Sequence, residues 1–199
     1  MNIKPPEFQH SFQTYFENCV INNLARAELA DIREAIEILD KNDILFKNRH
    51  ISMAFIIRIG SVIENGLREF YMAKRGLNSI QELKQTDDIF RLNVIFQRLK
   101  QREDGRDAIS IFNKIGISIT DNIHYKKIAE ILEHRHLYAH NSGFVDDKYI
   151  FKIIEITGED IRGKLTQYGY PEKDVQWLRP LNKITEYASV VEEFLNTLT

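Results

Sequence analysis

Between Asn122 and His140 the chain runs 19 residues without glycine or proline. Thr120-Asp121 offers an N-cap before this stretch, and Asn141-Ser142-Gly143 offers a C-terminal stop after it. A segment bounded in this way reads as a helix, and others like it fill the chain. Glu7 to Asp40 predicts one long helix, with Leu24, Leu29, Ile32, Ile36 and Leu39 at three-to-four spacing. Lys41-Asn42-Asp43 and Lys47-Asn48 read as a connector. Ile51 to Lys74 then resumes helical periodicity through Ser52, Ile56, Ile59, Ile63, Leu67 and Phe70 and stops at Arg75-Gly76.

Gly60 and Gly66 lie inside that second helix. Each costs a helix about 1 kcal/mol against alanine, so both mark places where another backbone or a ligand comes close. Further helices are predicted over Asp87–Arg102, near Arg106–Lys114 and over Leu181–Leu198. Phe144 to Thr157 is rich in Val, Ile, Tyr and Phe with Asp146-Asp147 as a turn, which predicts a short hairpin or extended arm. With 199 residues, 43% of them hydrophobic, there is material for one core and not comfortably for two. The fold expectation is therefore an all-α, up-and-down bundle of four to six helices with a small β excursion after the Asn122–His140 helix. It forms a single domain, with 1–48 an N-terminal helical region and 49–199 the core.

Charge excludes some functions. A net charge of -2 lacks the global basicity of a protein that coats nucleic acid, so any RNA contact must be local. The single cysteine, Cys19, rules out an intramolecular disulfide and a multi-cysteine zinc cage. The first residues have no apolar run resembling a signal peptide, and no run approaches a membrane span, so a cytoplasmic protein without membrane attachment is expected.

One residue of the 122–140 helix does not fit a plain bundle. At about 100° per residue, Ile128, Leu132, Ala139 and Ile131 form an apolar stripe with Arg135 near its middle. A guanidinium keeps its charge in a protein, so it needs a carboxylate, a phosphate or an interface there; an internal pair with Glu64 is one solution. His140 lies five residues on, in the last turn, where the helix carbonyl end favours an imidazolium and suits it to acid–base work. Together the two can hold a phosphodiester and move protons at a ribose hydroxyl or leaving oxygen without a metal. The spacing alone is weak: 13 Arg and 6 His give roughly 0.4 chance occurrences of Arg-x4-His, so context must discriminate.

That context is a resemblance. Arg135-His136-Leu137-Tyr138-Ala139-His140 is similar to the HEPN superfamily element: Arg, a polar residue, a few positions, then His near a helix end. Asn141-Ser142-Gly143-Phe144-Val145-Asp146-Asp147-Lys148-Tyr149 resembles the continuation in stand-alone bacterial members. Ser61-Val62-Ile63-Glu64-Asn65-Gly66-Leu67 resembles the acidic position on the family's second core helix. The resemblance covers roughly Ile51 to Thr199.

It implies an endoribonuclease acting as a homodimer, with no cofactor or metal, in a toxin–antitoxin, phage-defence or RNA-processing setting, and with an antitoxin or immunity protein as a possible partner. Arg135 and His140 would be catalytic, supported by Asn141, Glu64, His136 and Asn65. Apart from the resemblance, Lys126 and Lys127 are candidate RNA contacts by their charge, and Tyr138 either stacks on a base or packs in the core. The toxin branch carries a tyrosine two residues after the motif histidine, where Ser142 stands here, which argues against regulation by tyrosine modification.

Two alternatives stand beside it. His136 and His140 are four apart, a spacing that can bring two imidazoles onto a metal, although the glutamate of the helical zinc-protease motif is missing between them. In the other, Arg135 pairs across an interface in a non-catalytic interaction module. The basic residues Arg91, Arg98, Lys100, Arg102 and Arg106 could guide RNA together with Lys126-Lys127, but Glu103 and Asp104 interrupt them and a solvated helix face explains them as well.

Overall fold

The computed structural model describes residues 23–41, 49–79, 82–83, 107–162, 166–167, 176–177 and 184–198. Among these are six α-helices: α1 (Asn23–Lys41), α2 (Arg49–Lys74), α3 (Ala108–Lys114), α4 (Tyr125–Asn141), α5 (Asp147–Thr157) and α6 (Ile184–Thr197). A 3-10 turn at Ile119–Asp121 precedes α4. The all-α expectation holds. The predicted helix over Asp87–Arg102, the basic residues there and Arg106, the connector at 42–48 and everything before Asn23 lie outside the described residues.

α2 packs against α1, α4 and α6, while α6 also contacts α1 and α4. Their apolar faces share one core: Leu29, Ile32 and Ile36 from α1, Ile59, Ile63 and Leu67 from α2, Ile128 and Leu132 from α4, and Val191, Phe194 and Leu195 from α6. α1 thus joins the same core as the later helices. The two glycines of α2 sit at the close contacts. A Cβ on Gly66 would collide with the Leu195 side chain, and one on Gly60 would lie 2.5 Å from Arg135 Cγ. The absence of two side chains lets α4 and α6 approach α2.

Two local expectations are corrected. Thr120-Asp121 does not cap α4, because Asn122 is extended (φ -69°, ψ 132°) and its Oδ1 accepts from the His124 amide at 2.9 Å, so the helix starts at Tyr125. The predicted hairpin over Phe144–Thr157 is instead a two-residue strand, β1 (Phe144–Val145), followed by α5. Asp146 is not a turn residue but the N-cap of α5, its Oδ1 accepting from Tyr149 N at 2.7 Å. The β-branched run also carries helical spacing: Tyr149, Ile150 and Ile153 are buried, and Tyr149 and Ile153 pack with Leu137 and Ile161.

The β excursion is real but assembled from afar. β1 pairs antiparallel with β3 (Gln176–Trp177), which pairs antiparallel with β2 (Thr166–Gln167), in register Phe144↔Trp177 and Thr166↔Trp177. The link from α4 to β1 is tight: Ser142 adopts a left-handed conformation (φ 52°), and its N–H and that of Gly143 (φ 86°) both donate to Leu137 O. This turn ends α4 one residue after His140 and swings the chain back along it. Among the described residues, no helix is long and apolar enough to cross a membrane.

Candidate functional site

The middle of α4 is enclosed on all sides, with Ile128 to His134 all buried. Its last turn emerges: Ala139, His140 and Asn141 are exposed. Ala139, counted in the apolar stripe, therefore lies outside the core, and the stripe ends at Arg135. Arg135 bridges the two environments. Its stem lies on Gly60, and its Nη2 stands 3.0 Å from Glu64 Oε1, the side chains being 14% and 9% exposed. Gly60 and Glu64 are one turn apart on α2, so the helix that admits the stem also supplies the counter-charge.

The ion pair is close but off hydrogen-bond alignment: neither Glu64 Oε1 nor Arg135 Nε has a well-directed partner among the described residues. Burial pushes the Glu64 carboxyl above its ordinary range, and the charges of Arg135 and Arg68 offset that only in part. A buried pair of this kind strains against desolvation, and removing either member leaves an uncompensated charge. Asn65, the next residue, is half-buried and accepts from Arg68 Nη1 at 3.4 Å.

His140 meets His136 across the outer side of the helix, ring centroids 4.5 Å apart and planes inclined at 55°. His136 is half-buried and its Nδ1 is enclosed. Five residues of helix separate Arg135 from His140, a rise of about 7.5 Å and an azimuthal difference of about 140°. Within one chain, Arg135 meets Glu64 and His140 meets His136, while Arg135 and His140 stay apart.

The RNA-contact expectations fare differently. Tyr138 is 3% exposed and belongs to the main core, so it cannot stack on a base; its expected alternative role in packing is the one it takes. Burial raises its phenol well above the usual range. Lys127 Nζ is held by Glu130 Oε2 at 2.8 Å and Glu186 Oε1 at 3.5 Å, which neutralises it as a phosphate contact. Lys126 is exposed.

A second polar cluster on α4 escaped the sequence reading. His134, 8% exposed, places Nδ1 2.5 Å from the Tyr149 hydroxyl of α5 and Nε2 3.3 Å from Glu130 Oε1. Tyr187 of α6 donates to the same Glu130 oxygen at 3.2 Å. A proton on His134 Nε2 suits both neighbours, the ring donating to Glu130 and accepting from Tyr149.

Burial alone would raise the Glu130 carboxyl, but the hydrogen bonds from His134 and Lys127 outweigh it and hold it far below the ordinary range. Burial keeps the Tyr149 and Tyr187 hydroxyls protonated. Lys152 of α5 reaches Glu133 at 3.6 Å. These links tie α4 to α5 and α6 and fix its roll, so that Arg135 faces α2 and His140 faces outward. The signal available in sequence was the Lys127–Glu130 and Glu130–His134 spacing, which ordinarily describes a solvated face.

Among the described residues, no three His, Cys, Asp or Glu side chains gather as a metal cage. In comparisons with protein-family models, with curated proteins and with solved structures, nothing matched this chain.

Proposed function

We propose that this chain is a metal-independent endoribonuclease of the HEPN kind, working as a homodimer whose paired α4 ends form the cleft. The observation that carries the reading is the build of α4: a guanidinium anchored at the boundary of the core and an exposed imidazole in the last turn. His140 takes the proton from a ribose 2'-hydroxyl, whose oxygen attacks the adjacent phosphorus. The P–O5' bond breaks, a second acid protonates the leaving 5'-oxygen, and the products are a 2',3'-cyclic phosphate and a 5'-hydroxyl. Arg135 stabilises charge on the non-bridging oxygens.

The azimuthal separation of Arg135 and His140 favours a composite site, because a second copy supplies its own histidine as the acid and brings groups together that one helix holds apart. Glu64 aims Arg135, and Asn141 lies beside His140 at the exposed helix end. An antitoxin or immunity partner is the natural control for such an activity.

A second reading is favoured by one observation. Glu64 already supplies Arg135 with a counter-charge, which is what a non-catalytic interaction module would need. Incubation of a mixed tRNA and single-stranded RNA panel in EDTA separates the two. The ribonuclease reading expects cleavage by wild type and none by His140→Ala at unchanged fold and oligomeric state, whereas the module reading expects intact RNA with both.

A further inference from the structure

We infer that Arg68 of α2 is the second guanidinium of an oxyanion site that it shares with Arg135, a site for a phosphate-type group between α2 and α4. Gly60, Glu64 and Arg68 follow one another at intervals of four, so they line one strip of α2 that drifts by about 40° per step. Arg135 enters that strip from α4. Its stem lies on Gly60, and its Nη2 stands 3.0 Å from Glu64 Oε1. Arg68 is next along the strip, a surface neighbour of Glu64 at about 5–6 Å between Cβ atoms.

The charges along the strip do not balance. Burial raises the Glu64 carboxyl, and the charges of Arg135 and Arg68 both act on that one carboxylate against the effect. Arg68 is half-buried, and its hydrogen bond goes to a neutral group, the Asn65 side-chain oxygen, at a long 3.4 Å. The Nε atoms of Arg68 and Arg135 are both enclosed without a hydrogen-bond partner among the described residues. One positive charge is left over where water is partly excluded, and a guanidinium so placed calls for an anion. A carboxylate ligand has two oxygens, enough for one fork; a phosphate group has the oxygens and the charge for two.

The site stands on the packing of α2 against α4. That its anion is a phosphodiester of RNA rests on the function proposed above, in which Arg68 then holds the same group that Arg135 stabilises.

The test has two arms, each run on wild type, Arg68→Gln and Arg68→Lys. One is anisotropy binding, across a salt series, of a labelled single-stranded RNA whose 2'-O-methyl riboses cannot be cut; the other is calorimetric titration with inorganic phosphate. Wild type is expected to bind both. Arg68→Gln should weaken RNA binding by about tenfold or more and lower the salt slope by about one. Arg68→Lys keeps the charge without the fork, so it should show the wild-type slope at intermediate affinity, and its result stands even if the glutamine variant does not fold. Phosphate binding that Arg68→Gln loses, with no RNA binding, upholds the site and assigns it to a free phosphate-type anion. Absence of both bindings in wild type, or unchanged affinity and slope in Arg68→Gln, overturns it. Weaker binding by Arg68→Gln while wild type cuts no RNA upholds the site and removes the ribonuclease reading; RNA cut by wild type, with binding untouched by Arg68→Gln, does the reverse.

Discussion

Replacing Gly60 by alanine sets two effects of opposite sign against each other. Helix propensity alone favours alanine by about 1 kcal/mol. The added Cβ, however, would stand 2.5 Å from Arg135 Cγ and 2.7 Å from Arg135 Cβ, about 1 Å inside ordinary carbon–carbon contact. A rotamer change can move the Cγ but not the Cβ, which is fixed to the backbone of α4, so α2 and α4 must part. Overpacking of this kind costs about 1–3 kcal/mol, and parting the helices also loosens the Glu64–Arg135 pair one turn away. The net expectation is a loss of about 1–2 kcal/mol, or a melting temperature lower by about 2–8 °C for a domain of this length. Urea denaturation followed by circular dichroism, with wild type alongside, reads the difference. A variant more stable than wild type by about 1 kcal/mol would show that propensity wins, and that the Gly60–Arg135 contact does not set the helix spacing.

Three other expectations follow from the same contacts. Glu64→Ala strands the Arg135 guanidinium and should cost about 3 kcal/mol, while the double change Glu64→Leu with Arg135→Met should recover most of it; equal costs for single and double variants would deny the pair. His140→Ala, at an exposed helix end, should change stability by no more than about 0.5 kcal/mol, so a large drop in its denaturation midpoint would contradict the placement of the ring.

Glu130 gives a pH dependence whose sign is set by its depressed carboxyl. Its folded value lies below the ordinary 4.5, so its contribution is fully present above that pH and is lost as pH falls through the folded value. The stability gap between wild type and Glu130→Gln should therefore hold steady from about pH 7 to about pH 5 and narrow below it; a gap that widens on acidification refutes the assignment.

The main helices were legible because their apolar spacing is regular: α2 occupies almost the span that Ile51 to Lys74 marks out, and its glycines lie where other elements come close. Local chemistry was harder to read. Asp146 beside Asp147 looks like a turn until the Asp146 side chain is seen capping the Tyr149 amide, and the β-branched residues of α5 hide a helical period behind their strand preference.

Arg135 was visible as a misfit in an apolar stripe, and Glu64 was the counter-charge named for it. Glu130, Glu133 and His134 were not, because charged residues at helical spacing ordinarily face water. Here Tyr149, Tyr187 and Lys152, all distant in sequence, supply the partners that allow their burial. Ala139 misled in the other direction, since nothing in its spacing reveals that the helix leaves the core after Tyr138.

The most direct test of the central claim is end-group analysis of RNA treated with the purified protein in EDTA, comparing wild type, Arg135→Ala and His140→Ala. The account predicts 2',3'-cyclic phosphate and 5'-hydroxyl ends from wild type and neither from the two variants. Uncut RNA with wild type, or the same ends at the same rate from His140→Ala, would contradict it.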